Sequence, residues 1–194
     1  MRLLASRAAL VLTLVLAAPA WAAPAAPTWV VDKAASKIGF SGAMSGQPFY
    51  GALRRWDATI RFDPKALATS SINVQIDTRS AATGDPSRDE ALPSADWFSA
   101  AAFPRATFAA NQFKDLGAGR YQAIGSLTLR GVTRPVTLPF TLDVQGEVAT
   151  MQGALTLDRR AFGVGQGQFA SGDTVAAAVR VNVSIRAKRG AARP

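Results

Sequence analysis

Apolar and polar side chains alternate with period two along most of this chain, a pattern that restricts it to strands buried on one face. The longest run lies near the C-terminus, where Val175, Ala177, Val179, Val181, Val183 and Ile185 share one face and Thr174, Arg180, Asn182, Ser184 and Arg186 the other. The same parity recurs in Val136, Leu138, Phe140, Leu142 and Val144, in Ile72, Val74 and Ile76, and in Ala58, Ile60 and Phe62. Turn signals separate the runs at Gly117-Ala118-Gly119, Arg130-Gly131, Gln145-Gly146 and the glycine-rich stretch Gly163 to Gly172. Strands are therefore predicted near 36–44, 49–62, 71–77, 105–113, 120–130, 132–145, 148–158 and 173–188. Their connections are mostly short, which makes neighbours antiparallel.

Eight long strands with one apolar face each form either a sandwich or a closed barrel. Closure removes the exposed edges and suits long strands with short connections. The expectation is an all-β fold, an eight-stranded antiparallel β-barrel, whose interior is just wide enough to be filled by side chains or to hold one slender ligand. Residues Thr83 to Ala102 break the rhythm and predict one or two short helices between the third and fourth strands. Asp85 or Ser87 caps the first and Ser94 the second. Pro139 has no N–H for a ladder and predicts a bulge or local opening.

The N-terminus reads as a cleavable secretory signal over residues 1–22: Arg2 and Arg7, the apolar run Ala8 to Ala18, then the small-residue site Ala20-Trp21-Ala22. An uncleaved anchor is the alternative, but that run is shorter than the roughly 20 residues a spanning helix needs, and Pro19 interrupts it. Export from the cytoplasm is the expectation. Residues 23–27 then form a Pro/Ala tail, 28–188 one domain and 189–194 a basic tail. Loss of the signal takes the net charge from +9 to +7. Apart from Arg186, Lys188, Arg189 and Arg193 the cations are scattered, which reads as solubility and is compatible with transient contact with an anionic membrane surface. No nucleic-acid partner is expected.

Cysteine and histidine are absent. Without disulfides, stability rests on burial. Without His or Cys there is no Ser-His or Cys-His nucleophile pair, no haem axial histidine and no ordinary zinc or copper site. Carboxylate calcium sites, carboxylate-pair hydrolases and Ser-Lys pairs pass this filter. Asp85, Asp89 and Glu90 lack EF-hand spacing, and Gly163, Gly165 and Gly167 lack the strand-then-helix context and closing lysine of a nucleotide loop. No metal, catalytic residue or catalytic cofactor is expected.

Parity turns Ile38, Phe40, Ile60, Phe62, Ile76 and Phe108 inward, together with Leu127, Leu129, Leu138, Phe140, Leu157, Val179 and Val181. Phe98, from the helical excursion, joins them as a candidate ligand contact. For any one of them singly, core packing is the stronger reading. A cavity is favoured by lack of bulk: the last strand offers mostly Ala and Val to the interior, and Ala110, Gly125 and Ala154 add little. Trp56, Trp97 and Tyr121 either line a mouth or pack. The Arg88-Asp89-Glu90 run reads as a short helix whose charges fix a lid over one barrel end. Arg88 and Arg130 are candidate contacts for a phosphate or quinone oxygen, although Arg130-Gly131 is foremost a hairpin turn. Asp158-Arg159-Arg160 reads as a strand end with arginine paired to a carboxylate.

Several fragments stand in a specific order and spacing: Trp29-x-x-Asp32, Ser36-x-x-x-Phe40, Phe62-Asp63-Pro64, Thr83-Gly84, Arg88-Asp89-x-x-Leu92 and Asp96-Trp97-Phe98. They continue with Phe103-Pro104-x-Ala106-x-Phe108, Gly125-x-Leu127-Thr128-x-Arg130-Gly131-Val132-Thr133 and Asp158-Arg159-x-x-Phe162-Gly163. In these the chain, from about Trp29 to Lys188, resembles the YceI-like family, the bacterial polyisoprenoid-binding group. The resemblance implies an elongated, lipocalin-like barrel whose apolar lumen takes an isoprenoid tail, such as a quinone or a polyprenyl phosphate, usually in the periplasm. The expected function is binding of an apolar lipid ligand without catalysis. Two alternatives stand beside it. A hydrolase or isomerase would bring two of Asp89, Glu90 and Asp96 together in a pocket with a raised pKa. A stress or electron-transport accessory module acting through a partner would expose a large apolar patch.

Overall fold

The structure, a computed structural model, describes residues 25–191. The signal read over residues 1–22 lies outside the described residues, as do residues 192–194 of the basic tail. Of the segment read as a Pro/Ala tail, Ala26 is buried and the Pro27 carbonyl accepts from the Phe62 N–H, which ties it to the sheet.

Among the described residues the alternating pattern becomes eleven antiparallel strands. They are β1 (Thr28–Val31), β2 (Lys37–Met44), β3 (Gln47–Leu53), β4 (Trp56–Arg61), β5 (Ser71–Asp77) and β6 (Ala81–Ala82). After one helix, α1 (Pro86–Ala91), follow β7 (Arg105–Gly117), β8 (Arg120–Leu129), β9 (Val132–Gln145), β10 (Val148–Asp158) and β11 (Ala178–Arg189). Eight of the strands form a ring in the order β1-β4-β5-β7-β8-β9-β10-β11, which closes where β11 pairs with β1 at Trp29↔Arg189. Nearer its start β11 pairs instead with β2, as at Val181↔Phe40, and β2 pairs with β3. The runs β1–β2 and β3–β4 each fill one position of the wall, so the eight-stranded barrel expected from the sequence is the one that forms.

The strand predicted over 49–62 breaks at Arg54-Arg55. Both are exposed, and their backbone bonds go to Ser80 and Asp77 rather than along one ladder. The strand predicted to start at 173 starts at Ala178, because the carbonyls of Val175 and Ala176 turn aside to Arg159. In β7 the register slips between Ala110 and Gln112; the surplus Asn111 flips the parity and returns Phe113 inward, opposite Ala123. Ala154, expected inside, pairs with Asn182 on the outer face, and Gly153 takes the inward position.

The two ends differ in how they are closed. At the base, Phe62 meets Phe113, Tyr121 and Phe140 edge-on at 5.2, 5.5 and 5.9 Å between ring centroids, and Tyr121 stacks on Phe140. The Trp29 indole N–H donates to the Phe62 carbonyl at 2.9 Å beneath them. The opposite end carries the long segments 83–104 and 159–177. Here α1 is capped by Asp85, whose carboxylate accepts from the Arg88 N–H. The second helix expected at Ser94 does not form: residues 92–98 are turns, and Ser99 at φ 47° folds the chain back so that the Ser94 carbonyl receives the N–H groups of Trp97 and Ser99. Arg130 and Gly131, at φ 51° and 74°, make the tight hairpin between β8 and β9.

Pro139 marks a local opening. Pro135 and Pro139 occupy alternate positions, so their missing donors fall on one edge of β9. Pairing with β8 runs in register past both, whereas pairing with β10 stops at Phe140↔Gly153.

Gly125 sits against β7 where a side chain has no room: a Cβ there would lie 2.1 Å from the Ala109 carbonyl oxygen. Gly125→Ala is expected to cost about 1–3 kcal/mol by overpacking, read as a lower urea midpoint at unchanged slope.

Candidate functional site

Between base and lid the inward faces enclose a cavity of about 260 Å³, lined almost wholly by apolar side chains. All fourteen residues singled out from the sequence lie on its wall: Ile38 and Phe40 from β2, Ile60 from β4 and Phe62 just beyond it, Ile76 from β5, Phe108 from β7, Leu127 and Leu129 from β8, Leu138 and Phe140 from β9, Leu157 from β10, Val179 and Val181 from β11, and Phe98 from the lid. Small inner residues leave the tube hollow. Phe40, Leu157, Val179 and Val181 point inward yet are only half-buried, because part of their surface faces empty space. Gly51 opposite Phe40 has a related role, since a Cβ there would meet the Phe40 ring at 2.3 Å.

The lid is assembled by backbone bonds between its two segments. The Asp96 carbonyl accepts from the N–H groups of Gly165 and Gln166, each at 2.8 Å, and Trp97 packs on Phe169 at 5.1 Å between centroids. Arg159, which the sequence reading left unassigned to the interior, holds the second segment. Its side chain is 4% exposed, and its five N–H groups serve five carbonyls: Nε donates to Ala176, Nη1 to Val164 and Gly165, and Nη2 to Phe169 and Val175. The guanidinium also lies over the Trp97 ring and lines the cavity. Burial pushes its pKa below the ordinary arginine value. The carboxylate beside it, Asp158, pairs with Arg160 at 2.8 Å, which holds Asp158 below the usual carboxylate range.

The structure places neither Arg88 nor Arg130 on the cavity wall. Arg88 pairs with Asp85 at 3.4 Å and lies over the Phe49 ring. Arg130 donates through Nη2 to the Ala95 carbonyl at 2.7 Å and braces the lid from outside. Trp56 and Trp97 line the cavity, whereas Tyr121 packs in the base.

Asp89, Glu90 and Asp96 do not line the cavity either. Asp89 accepts from the Thr83 N–H and hydroxyl at 2.5 and 2.7 Å and from the Gly84 N–H at 3.1 Å, bonds that hold its pKa below 3.8. A general acid would need the opposite shift. The exposed large apolar side chains Val30, Met44, Tyr50, Phe103, Leu116 and Val144 come from six separate segments.

Residues 29–187 match the YceI-like domain family. Protein YceI of Escherichia coli O157:H7 is 42% identical over 98 residues, 50% of this chain and 51% of that relative. The chain spans about half the length of the curated relatives it matches. Among solved structures, BcnA of Burkholderia cenocepacia aligns with 81% of this chain and 99% of its own, at a TM-score of 0.79 and 32% identity. A polyisoprenoid binding domain from Saccharophagus degradans aligns with 84% of this chain and 99% of its own, at a TM-score of 0.67; at 15% identity it is a likeness of fold alone.

Arg159→Lys keeps the charge but replaces a planar five-donor fork by three donors at one nitrogen. It is expected to cost about 3 kcal/mol and to expose residues 160–177 to proteolysis while the barrel core stays protected. Asp89 makes its own pH signature. Because its folded pKa is depressed, its contribution is full above 3.8 and is lost as pH falls through the lower folded value. Amide exchange at Thr83 and Gly84 is expected to accelerate on acidification, and Asp89→Asn to show the faster exchange already at neutral pH.

Proposed function

The chain belongs to the YceI-like family, and on that premise we propose that it is an exported, periplasmic protein that binds an isoprenoid chain, as in a quinone or a polyprenyl phosphate. The observation that carries this reading is the cavity: a hollow running from the aromatic base to the lid, with an almost entirely apolar wall. Its volume is below the roughly 300–1,000 Å³ of drug-sized sites, which suits a slender tail better than a ring system. Each methylene that enters gains about 0.8 kcal/mol, offset by the cost of association. The fold likeness to a domain described as polyisoprenoid binding supports the same ligand class. The role is carriage or buffering rather than turnover, with transient contact at a membrane surface when the ligand is exchanged.

Native mass spectrometry of the protein purified from a bacterial host is expected to show a hydrophobic adduct. Val181→Trp, which places an indole between Phe40 and Leu155 at mid-lumen, is expected to abolish it while leaving the β-sheet circular dichroism unchanged. Repeated recovery of empty wild-type protein that takes up no prenyl lipid would remove this function.

A further inference from the structure

Among the described residues the cavity has no free polar partner for a charged head group. Apart from tryptophan, two polar side chains line it. Thr78 donates to the Phe103 carbonyl at 2.9 Å, and the N–H groups of Arg159 are all taken by carbonyls. The head of any anionic amphiphile held there must find its partners elsewhere.

The wall is interrupted between β9 and β10. Above Phe140↔Gly153, residues 132–139 of β9 pair only with β8, and residues 154–158 of β10 pair only with β11. Two strand edges therefore face each other without a ladder. The inner side of this seam is formed by Val136, Leu138, Leu155 and Leu157, all on the cavity wall. At its foot, on the outside, Pro139, Gly153 and Ala154 form part of the floor of an open groove of about 930 Å³. Phe40, Phe140 and Val183 border both groove and cavity.

The groove is charged in one sense only. Among the described residues Lys37, Arg120 and Arg180 line it and no carboxylate does. Arg120 and Lys37 lie at the two ends of one cross-strand row, Arg120–Thr141–Gln152–Ser184–Lys37, whose middle members supply hydroxyl and amide groups. Among the described residues none of the three cations is paired with a carboxylate: Arg180 donates to the Asn182 side chain and Arg120 to the carbonyls of Leu116 and Gly117.

We propose that the outer groove is a subsite for an anionic head group, a phosphate or diphosphate ester, whose apolar chain passes through the β9–β10 seam into the lumen. This rests on the reading that the lumen holds such a chain, and it narrows the ligand to one with an anionic head.

The test compares geranylgeranyl monophosphate with geranylgeraniol, binding each to the full chain, to the triple variant Lys37→Glu, Arg120→Glu, Arg180→Glu, and to Val181→Trp. At low ionic strength the wild type is expected to bind the phosphate roughly tenfold more tightly than the alcohol, the triple variant to lose that advantage while binding the alcohol as before, and Val181→Trp to bind neither. Added salt should narrow the gap in the wild type alone. Equal affinity of the wild type for both ligands, or a triple variant that retains the preference, overturns the subsite and leaves the lumen reading standing. Failure of the wild type to bind either lipid overturns both. Inorganic phosphate that displaces the phosphate lipid at similar concentration marks the groove as an ion patch and overturns the head-group assignment.

Discussion

When a sheet closes on itself, every second side chain is committed to the interior, and the bulk of those side chains decides whether the inside is a core or a void. In this barrel the two outcomes occur in sequence along one axis. Toward the base, four aromatic rings and Trp29 pack together and narrow the cross-section. Further up, the valines of β11 and the leucines of β8 line the cavity, with Leu155 and Leu157 of β10 beside Val181 and Val179 on the neighbouring strand, and none of them fills the middle. An empty apolar space of this kind forfeits dispersion contacts, so the fold carries a standing cost that an occupant would offset.

The lid answers a different problem. A loop as long as 159–177 has many backbone carbonyls and little regular structure to pair them. Arg159 gathers five of them around one planar group, and the glycines nearby make room for it: a Cβ at Gly165 would meet the guanidinium at 2.1 Å. The loop is thus folded around a cation, with backbone dipoles in place of a counter-ion. Trp97 from the other lid segment covers that cation, which couples the two segments that close the top.

Much of this was legible in the sequence because period two is unambiguous once one face is apolar. Parity placed Ile38, Phe62, Leu127, Val181 and their fellows on the correct side, and Pro139 marked where the wall opens. What escaped has local causes. The four residues of β1 are too few to show a period, and the surplus Asn111 reverses the parity that would otherwise have turned Phe113 outward. Arg159 continues the inward series Leu155, Leu157, but an arginine at an inward position argues against itself until its five carbonyls are known, and these come from residues up to seventeen positions later. Arg88 and Arg130 are candidate head-group contacts by sequence; their partners, Asp85 and the Ala95 carbonyl, are fixed by helix capping and lid geometry that no periodicity reports.

The aromatic floor has a further consequence. Rings that narrow one end of a tube set its usable length: Phe62 and Phe140 sit on the cavity wall and take up width there that the valines of β11 leave free higher up. Relocating those rings by one turn of the alternation would reset the length that fits, without any change to the chemistry of the walls.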